Sequence, residues 1–370
     1  MKIHSRTQRK QQPGKEGNMD WTTLTGELNL EALSEQIEQL FPNFSIDFSS
    51  LLGQILSGNA KEAFAGLAAS LKNGMLAEMA GMKNLLLTLL IIGVLSALFT
   101  VVMQSFDNHQ IADIAHFISY LLMLFVVLRT FTQAADIAGE LLGRILLFVR
   151  LFVPTFMLAL GLSAGAATAA GYYQLILLLI YGVEQVLKSI GLPAVNIYMM
   201  LVVMNGIWEE ERLGMLVELL QKGVAGFLKF LLTCITGIGL LQSMVTPVLE
   251  HLKLNAAGKA LSAIPGLGGL AEGTAQLLIG SAVLVKNGLG VAAFLLLLAL
   301  CIGPFARLLL YAGILKLCAA LLGMTADKRI TGCVNKAGDG LLLLLKISYT
   351  ACACFLIMFA IITCLAGKIG

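Results

Sequence analysis

Residues 275–323 read AQLLIGSAVLVKNGLGVAAFLLLLALCIGPFARLLLYAGILKLCAALLG. The apolar run is interrupted in two places, at Lys286-Asn287-Gly288 and at Gly303-Pro304-Phe305-Ala306-Arg307. A helix on the surface of a water-soluble protein carries a polar stripe every three or four residues, and outside the two breaks this stretch has almost none. Its natural solvent is lipid. Pro304 stands where a membrane helix would turn. Lys286 and Arg307 are charges that a membrane segment accommodates only with a partner, a water path or room to snorkel.

The whole chain has the same character. Of 370 residues, 58% are apolar and 13% charged, and mean hydropathy is +0.87, against about 45–50% and about 25% in an average soluble domain. The composition therefore predicts an all-α polytopic membrane protein. A formal charge of +3 is too small to imply nucleic acid as a partner. The seven cysteines lie mostly inside apolar runs without C-x-x-C spacing, which reads as small core residues and not as disulfides or ligands.

Taken in order, residues 1–20 are basic, with Lys2, Arg6, Arg9, Lys10 and Lys15, and lack the apolar core of a signal peptide; they read as a disordered start. Residues 21–82 are amphipathic. Leu30, Leu33, Ile37, Leu40 and Phe41 recur at helical spacing opposite Glu27, Glu31, Glu35 and Glu38, and Pro42 ends the run. Segments of this kind pack together, lie on a membrane surface or dock to a partner. Residues 83–370 form a multi-pass domain in which stretches of about 20 apolar residues predict spans at 85–106, 112–131, 145–163, 169–187, 194–208, 225–246, 276–302, 305–322 and 341–366. That gives eight or nine spans, since the fifth is short and the seventh is interrupted. Residues 247–275 read as an interfacial helix followed by a Gly-rich hinge at Pro265-Gly266-Leu267-Gly268-Gly269. Lys and Arg in the short connections favour a cytoplasmic N-terminus.

Motifs with catalytic associations fail on context. Gly161-Leu162-Ser163-Ala164-Gly165 matches a nucleophile elbow, which needs a preceding strand and a His base; glycines four apart with Ala164, Ala166 and Ala167 beside them fit close helix packing instead. Gly266-Leu267-Gly268-Gly269-Leu270-Ala271 lacks the βαβ unit of a dinucleotide site. There is no Walker sequence, and no His/Cys/Asp/Glu group has metal-ligand spacing, so neither a cofactor nor a metal is expected. The informative ionisable residues are those near spans: Glu140 and Arg144, four apart and able to pair, Glu184 and Lys188 in the same relation, and Lys286, Arg307 and Lys316. For Arg307 and Lys316 the reading is snorkelling. The candidate residues, for function or for packing, are Lys286, Asn287, Gly288, Pro304, Arg307, Glu140, Arg144, Gly161 and Gly165.

The succession Gln242-Ser243-Met244-Val245-Thr246-Pro247, then SAVLVKNGLG at 281–290, then Cys301-Ile302-Gly303-Pro304 resembles the stage III sporulation protein AE family of endospore-forming bacteria. The likeness is best from about Gly223 onward. It implies a non-enzymatic, multi-pass subunit of the channel complex that the mother cell builds in the membrane around the forespore, analogous in role to an export gate. The implied partners are a secretion-type ATPase, ring-forming proteins and small membrane subunits. Family members commonly begin with a signal-like apolar segment, and residues 1–20 depart from that pattern. The alternative reading is a stand-alone secondary transporter with a midplane site on broken helices.

Overall fold

The computed structural model describes residues 36–37, 48–57, isolated positions from 59 to 102, and 109–367 apart from 165, 208–212, 262–269 and 324–327. All described elements are helical: α1 (Phe48–Leu56), α2 (His109–Ala164), α3 (Ala166–Val186), α4 (Leu192–Ile207), α5 (Gly214–Leu261), α6 (Leu270–Leu322) and α7 (Lys328–Gly367), with a π-helical turn at Leu187–Gly191 joining α3 to α4. The first expected span, 85–106, and the disordered start, 1–20, lie largely or wholly outside the described residues.

Among the described residues four helices are long and apolar enough to cross a membrane: Tyr120–Leu158, Leu177–Ile207, Asn287–Leu322 and Ile330–Ala360. These helices do not confirm the expectation of eight or nine spans: among the described residues, pairs of expected spans run together as single helices. Residues 132–144, read as a connection, are helical within α2. Their sequence, TQAADIAGELLGR, contains no proline and many good helix formers, and Ala134, Ala138, Leu141, Leu142 and Ile145 form a buried stripe while the charges face outward. The turn expected at Pro304 is likewise absent: α6 passes through it. The ring removes only the N–H that would reach the Leu300 carbonyl, a defect that bends a packed helix more readily than it ends one. Residues 247–261, expected as a separate interfacial helix, continue α5.

The π turn has a local cause. Pro193 has no N–H for the carbonyl four residues back, and Leu192 N–H instead reaches Leu187 O, five residues back. Gln185 Nε2 donates to Ser189 Oγ at 2.9 Å across the turn.

α7 lies at the centre of the bundle, touching α2, α3, α4, α5 and α6, while α1 lies on α6. Side-chain contacts set the directions. Tyr120 meets Cys333 near the start of α2 and α7, and Phe152 meets Phe359 near their ends, so these two run parallel. α4 runs against α7, since Gly191 faces Ile347 and Tyr198 faces Gly340. α6 also runs against α7, with Leu297 near Phe355 in one cleft and Lys316 bonded to Asp339. Glycines allow the closest crossings. A Cβ on Gly340 would lie 3.2 Å from the Tyr198 ring, and one on Gly206 would lie 2.5 Å from the Tyr120 oxygen.

Tyr120 donates its hydroxyl proton to the Val203 carbonyl at 3.0 Å, which fixes α2 against α4. Gly206→Ala is expected to drive the Tyr120 ring off this bond and lower stability by about 1–3 kcal/mol, the range for overpacking. In a double-mutant cycle with Tyr120→Phe, thermal unfolding in detergent should show strong non-additivity, because both changes break one contact.

Candidate functional site

In a bundle this apolar, polar groups mark the places where the chain departs from simple packing. Several threonine hydroxyls are satisfied inside their own helix: Thr130 donates to Val126 O, Thr236 to Leu232 O and Thr350 to Lys346 O. The remaining polar contacts tie helices together or pair charges within them.

The most developed group joins α6 to α7. Lys316 Nζ lies 2.7 Å from Asp339 Oδ1 and donates to Asn335 Oδ1 at 2.8 Å. Asn335 and Asp339 are four residues apart, so they share one face of α7. Between them Gly338 makes room for the lysine stem: a Cβ there would stand 3.1–3.3 Å from Lys316 Cγ, Cδ and Cε. The Lys316 and Asp339 side chains are 34% and 25% exposed, so the pair is partly shielded and still reached from outside. Snorkelling was the expectation for Lys316; the structure gives it an acidic partner on the next helix instead. One turn away, Tyr198, fully buried on α4, donates to the Lys336 carbonyl at 2.9 Å. This layer thus binds α4, α6 and α7 at one level.

A second pair lies on the α3–π junction. Lys188 Nζ is 2.6 Å from Glu184 Oε1, and the glutamate side chain is only 6% exposed. The lysine reaches this position past Gly143 of α2, where a Cβ would stand 3.8 Å from its nitrogen. A buried carboxylate is costly unless paired, and the i, i+4 spacing supplies the pair locally. Glu140 and Arg144, the expected pair on α2, do approach to 3.4 Å, but both point outward, where such a pair contributes only about 0.2–0.5 kcal/mol.

The other residues singled out from sequence are dispersed. Asn287 is exposed and Gly288 buried near the start of the α6 span, and Lys286 is on the same helix. Pro304 and Arg307 are half-buried within α6. Gly161 is helical near the end of α2, and Gly165 lies outside the described residues. Among the described residues no group of three His, Cys, Asp or Glu side chains could hold a metal ion. Five of the six described cysteines are buried and all six are free. Sequence reading missed Asn335, Gly338, Asp339, Tyr120 and Tyr198. For the first three a signal existed: an N-x-x-G-D pattern on a helix following an apolar run that carries one lysine.

An apolar cleft opens between α2, α3, α6 and α7, lined by Phe148, Phe152, Ile180, Leu297, Phe355 and Phe359 among others. Phe148, Phe152 and Phe156 form a stacked series, and Phe359 meets the last two at centroid distances of 5.8 and 5.0 Å. These rings fix the end of the bundle opposite to the Lys316 layer.

Comparison with known proteins adds a family. The model described as stage III sporulation protein AE matches residues 46–366. A similar relative is the stage III sporulation protein AE of Bacillus subtilis (strain 168), 23% identical over 254 residues. That alignment covers 68% of this chain and 63% of the relative, so the chain spans less than two thirds of the relative's length. No solved structure matches.

The Lys316–Asp339 bond can be tested by exchange. Lys316→Asp and Asp339→Lys are each expected to lower thermal stability in detergent by about 1–3 kcal/mol, the cost of leaving a shielded polar group unpartnered. The double exchange should recover at least half of the loss. Additive losses would show that the two side chains do not act as a pair.

Proposed function

The chain belongs to the stage III sporulation protein AE family, and on that premise we propose that it is a multi-pass membrane subunit of the channel complex linking mother cell and forespore, needed for endospore development. Its place is the mother-cell membrane around the forespore. Its role is structural and conductive, without catalysis by this chain. The partners are a secretion-type ATPase, ring-forming proteins and small membrane subunits.

Beyond family membership, one physical observation supports an assembled state over a solitary transporter. The four membrane-length helices contain 39, 31, 36 and 31 residues, or about 46–58 Å at 1.5 Å per residue. The hydrocarbon layer is about 30 Å thick. Tilting would need about 50–60° to bring such helices inside it, against the roughly 0–40° that membrane helices adopt. Yet in three of these helices large apolar side chains are exposed toward both ends, including Phe125 and Met204 toward one end of the bundle and Leu158, Leu178 and Phe294 toward the other. A single copy in a bilayer therefore leaves apolar surface in water, which neighbouring subunits would cover.

Deleting the gene in its sporulating host is expected to arrest forespore development and to collapse the yield of heat-resistant spores. A normal yield would sink the proposal. Purification from sporulating cells is expected to bring down the ATPase and ring proteins with this chain. Uptake of a defined solute into liposomes by this chain alone would favour the transporter reading instead.

A further inference from the structure

Charges divide the bundle into two unequal halves. From the level of the α7 charge Lys346 toward the phenylalanine cluster, four helices carry one uncharged run each: 166–183 in α3, 230–249 in α5, 287–306 in α6 and 347–367 in α7, with 151–164 at the end of α2, while the uncharged run of α4, 189–208, lies on the other side of that level. The first four of these runs come close to the about 20 residues that cross a hydrocarbon layer. The charges that bound them include Glu184, Lys229, Arg307 and Lys346 on the inner side. Lys286 closes the α6 run at its other end.

These inner charges fall near one level of the fold. α6 and α7 are antiparallel, with Leu297 and Leu356 lining the same cleft. Ten residues on from Leu297 is Arg307, and ten back from Leu356 is Lys346. On α2 and α3 the boundary is carried by Arg150, Glu184 and Lys188, closer to the phenylalanine cluster, since Ile180 and Phe152 share the same cleft. A step of this kind across the bundle is what an ordinary tilt of about 20° produces.

The other half is different. There α6 carries Lys316, α7 carries Lys336 and Asp339, and α5 carries Glu218 and Lys222, so the uncharged runs on these three helices are short. Exposed charges at mid-helix, among them Arg129, Asp136, Glu140 and Lys346, exclude a bilayer centred on the whole bundle.

We propose that the bilayer hydrocarbon encloses only the phenylalanine-cluster half, that the level of Arg307 and Lys346 is one headgroup boundary, and that the Lys316–Asp339 half projects from the membrane on the side where α4 and α6 end and α5 and α7 begin. Lys286 and Arg307 then acquire a common meaning: they bracket the α6 span. The Lys316–Asp339 pair lies beyond the hydrocarbon, where partial wetting makes its exposure inexpensive.

The full chain in nanodiscs, without other sporulation proteins, tests this by hydroxyl-radical footprinting, with each rate normalised to the denatured chain. Met200, Met204 and Met215 in the projecting half are all exposed side chains, and each should oxidise at least ten-fold faster than Leu178, Ile238 and Phe294 in the enclosed half. Single cysteines provide a second reading in vesicles of a host that does not sporulate. Met204→Cys and Phe125→Cys should react with a membrane-impermeant maleimide from one side, while Leu178→Cys and Phe294→Cys remain protected until detergent is added. Equal protection of both sets, or the reverse order, would overturn the placement.

Discussion

A chain so apolar can carry a charge only where that charge is paired or wet, and the bundle follows from this constraint. Burying an ion without a partner costs several kcal/mol, far more than any one helix contact contributes. The charges are accordingly handled in two ways. Glu184 is buried and takes Lys188 from its own helix; Lys316 crosses to Asp339 and Asn335 of the next. Others, such as Arg129, Asp136 and Glu140, face outward. Glycines serve the same end. Gly143 and Gly338 stand beside the two lysines, and at Gly338 even a methyl group would crowd the lysine stem.

The central position of α7 is the second consequence. A helix that touches five others must be buried almost all round, and its sequence permits that through small residues and cysteines at Cys333, Ala337, Gly340, Ala351, Cys352 and Cys354. Its amphipathic first half supplies Asn335 and Asp339, while its uncharged second half supplies Phe355 and Phe359. One helix thereby carries both the polar layer and the apolar end of the fold. Ser348, fully buried in the middle of α7, has a hydroxyl with no hydrogen-bond partner among the described residues.

The fold class is legible in the sequence, and the connections between helices are not. An all-helical, membrane-length architecture was legible at 275–323, because no soluble helix carries so few polar positions. The number of helices was not. Reading 132–144 as a loop treated polar residues as an interruption, whereas the helix keeps Ala134, Ala138 and Leu141 buried beneath them. Pro304 by itself predicts a turn, and packing on both sides carries α6 through it. Lys316 looks like a snorkelling side chain in the sequence because its partner lies on another helix, and an amino-acid pattern alone does not say which faces will meet.

What the sequence by itself determined is the solvent of this protein and its family, since apolar run lengths and the motifs at 242–247, 281–290 and 301–304 survive any arrangement of helices. Local pairings were also within its reach, because Glu140–Arg144 and Glu184–Lys188 depend only on helical spacing. The tertiary structure decided the rest: which helices are continuous, that α2 runs parallel to α7, that Lys316 finds Asp339, and that the bounding charges fall near one zone. These are long-range facts. They depend on the sum of side-chain volumes and unsatisfied polar groups across several helices, and so become visible only when the helices are packed.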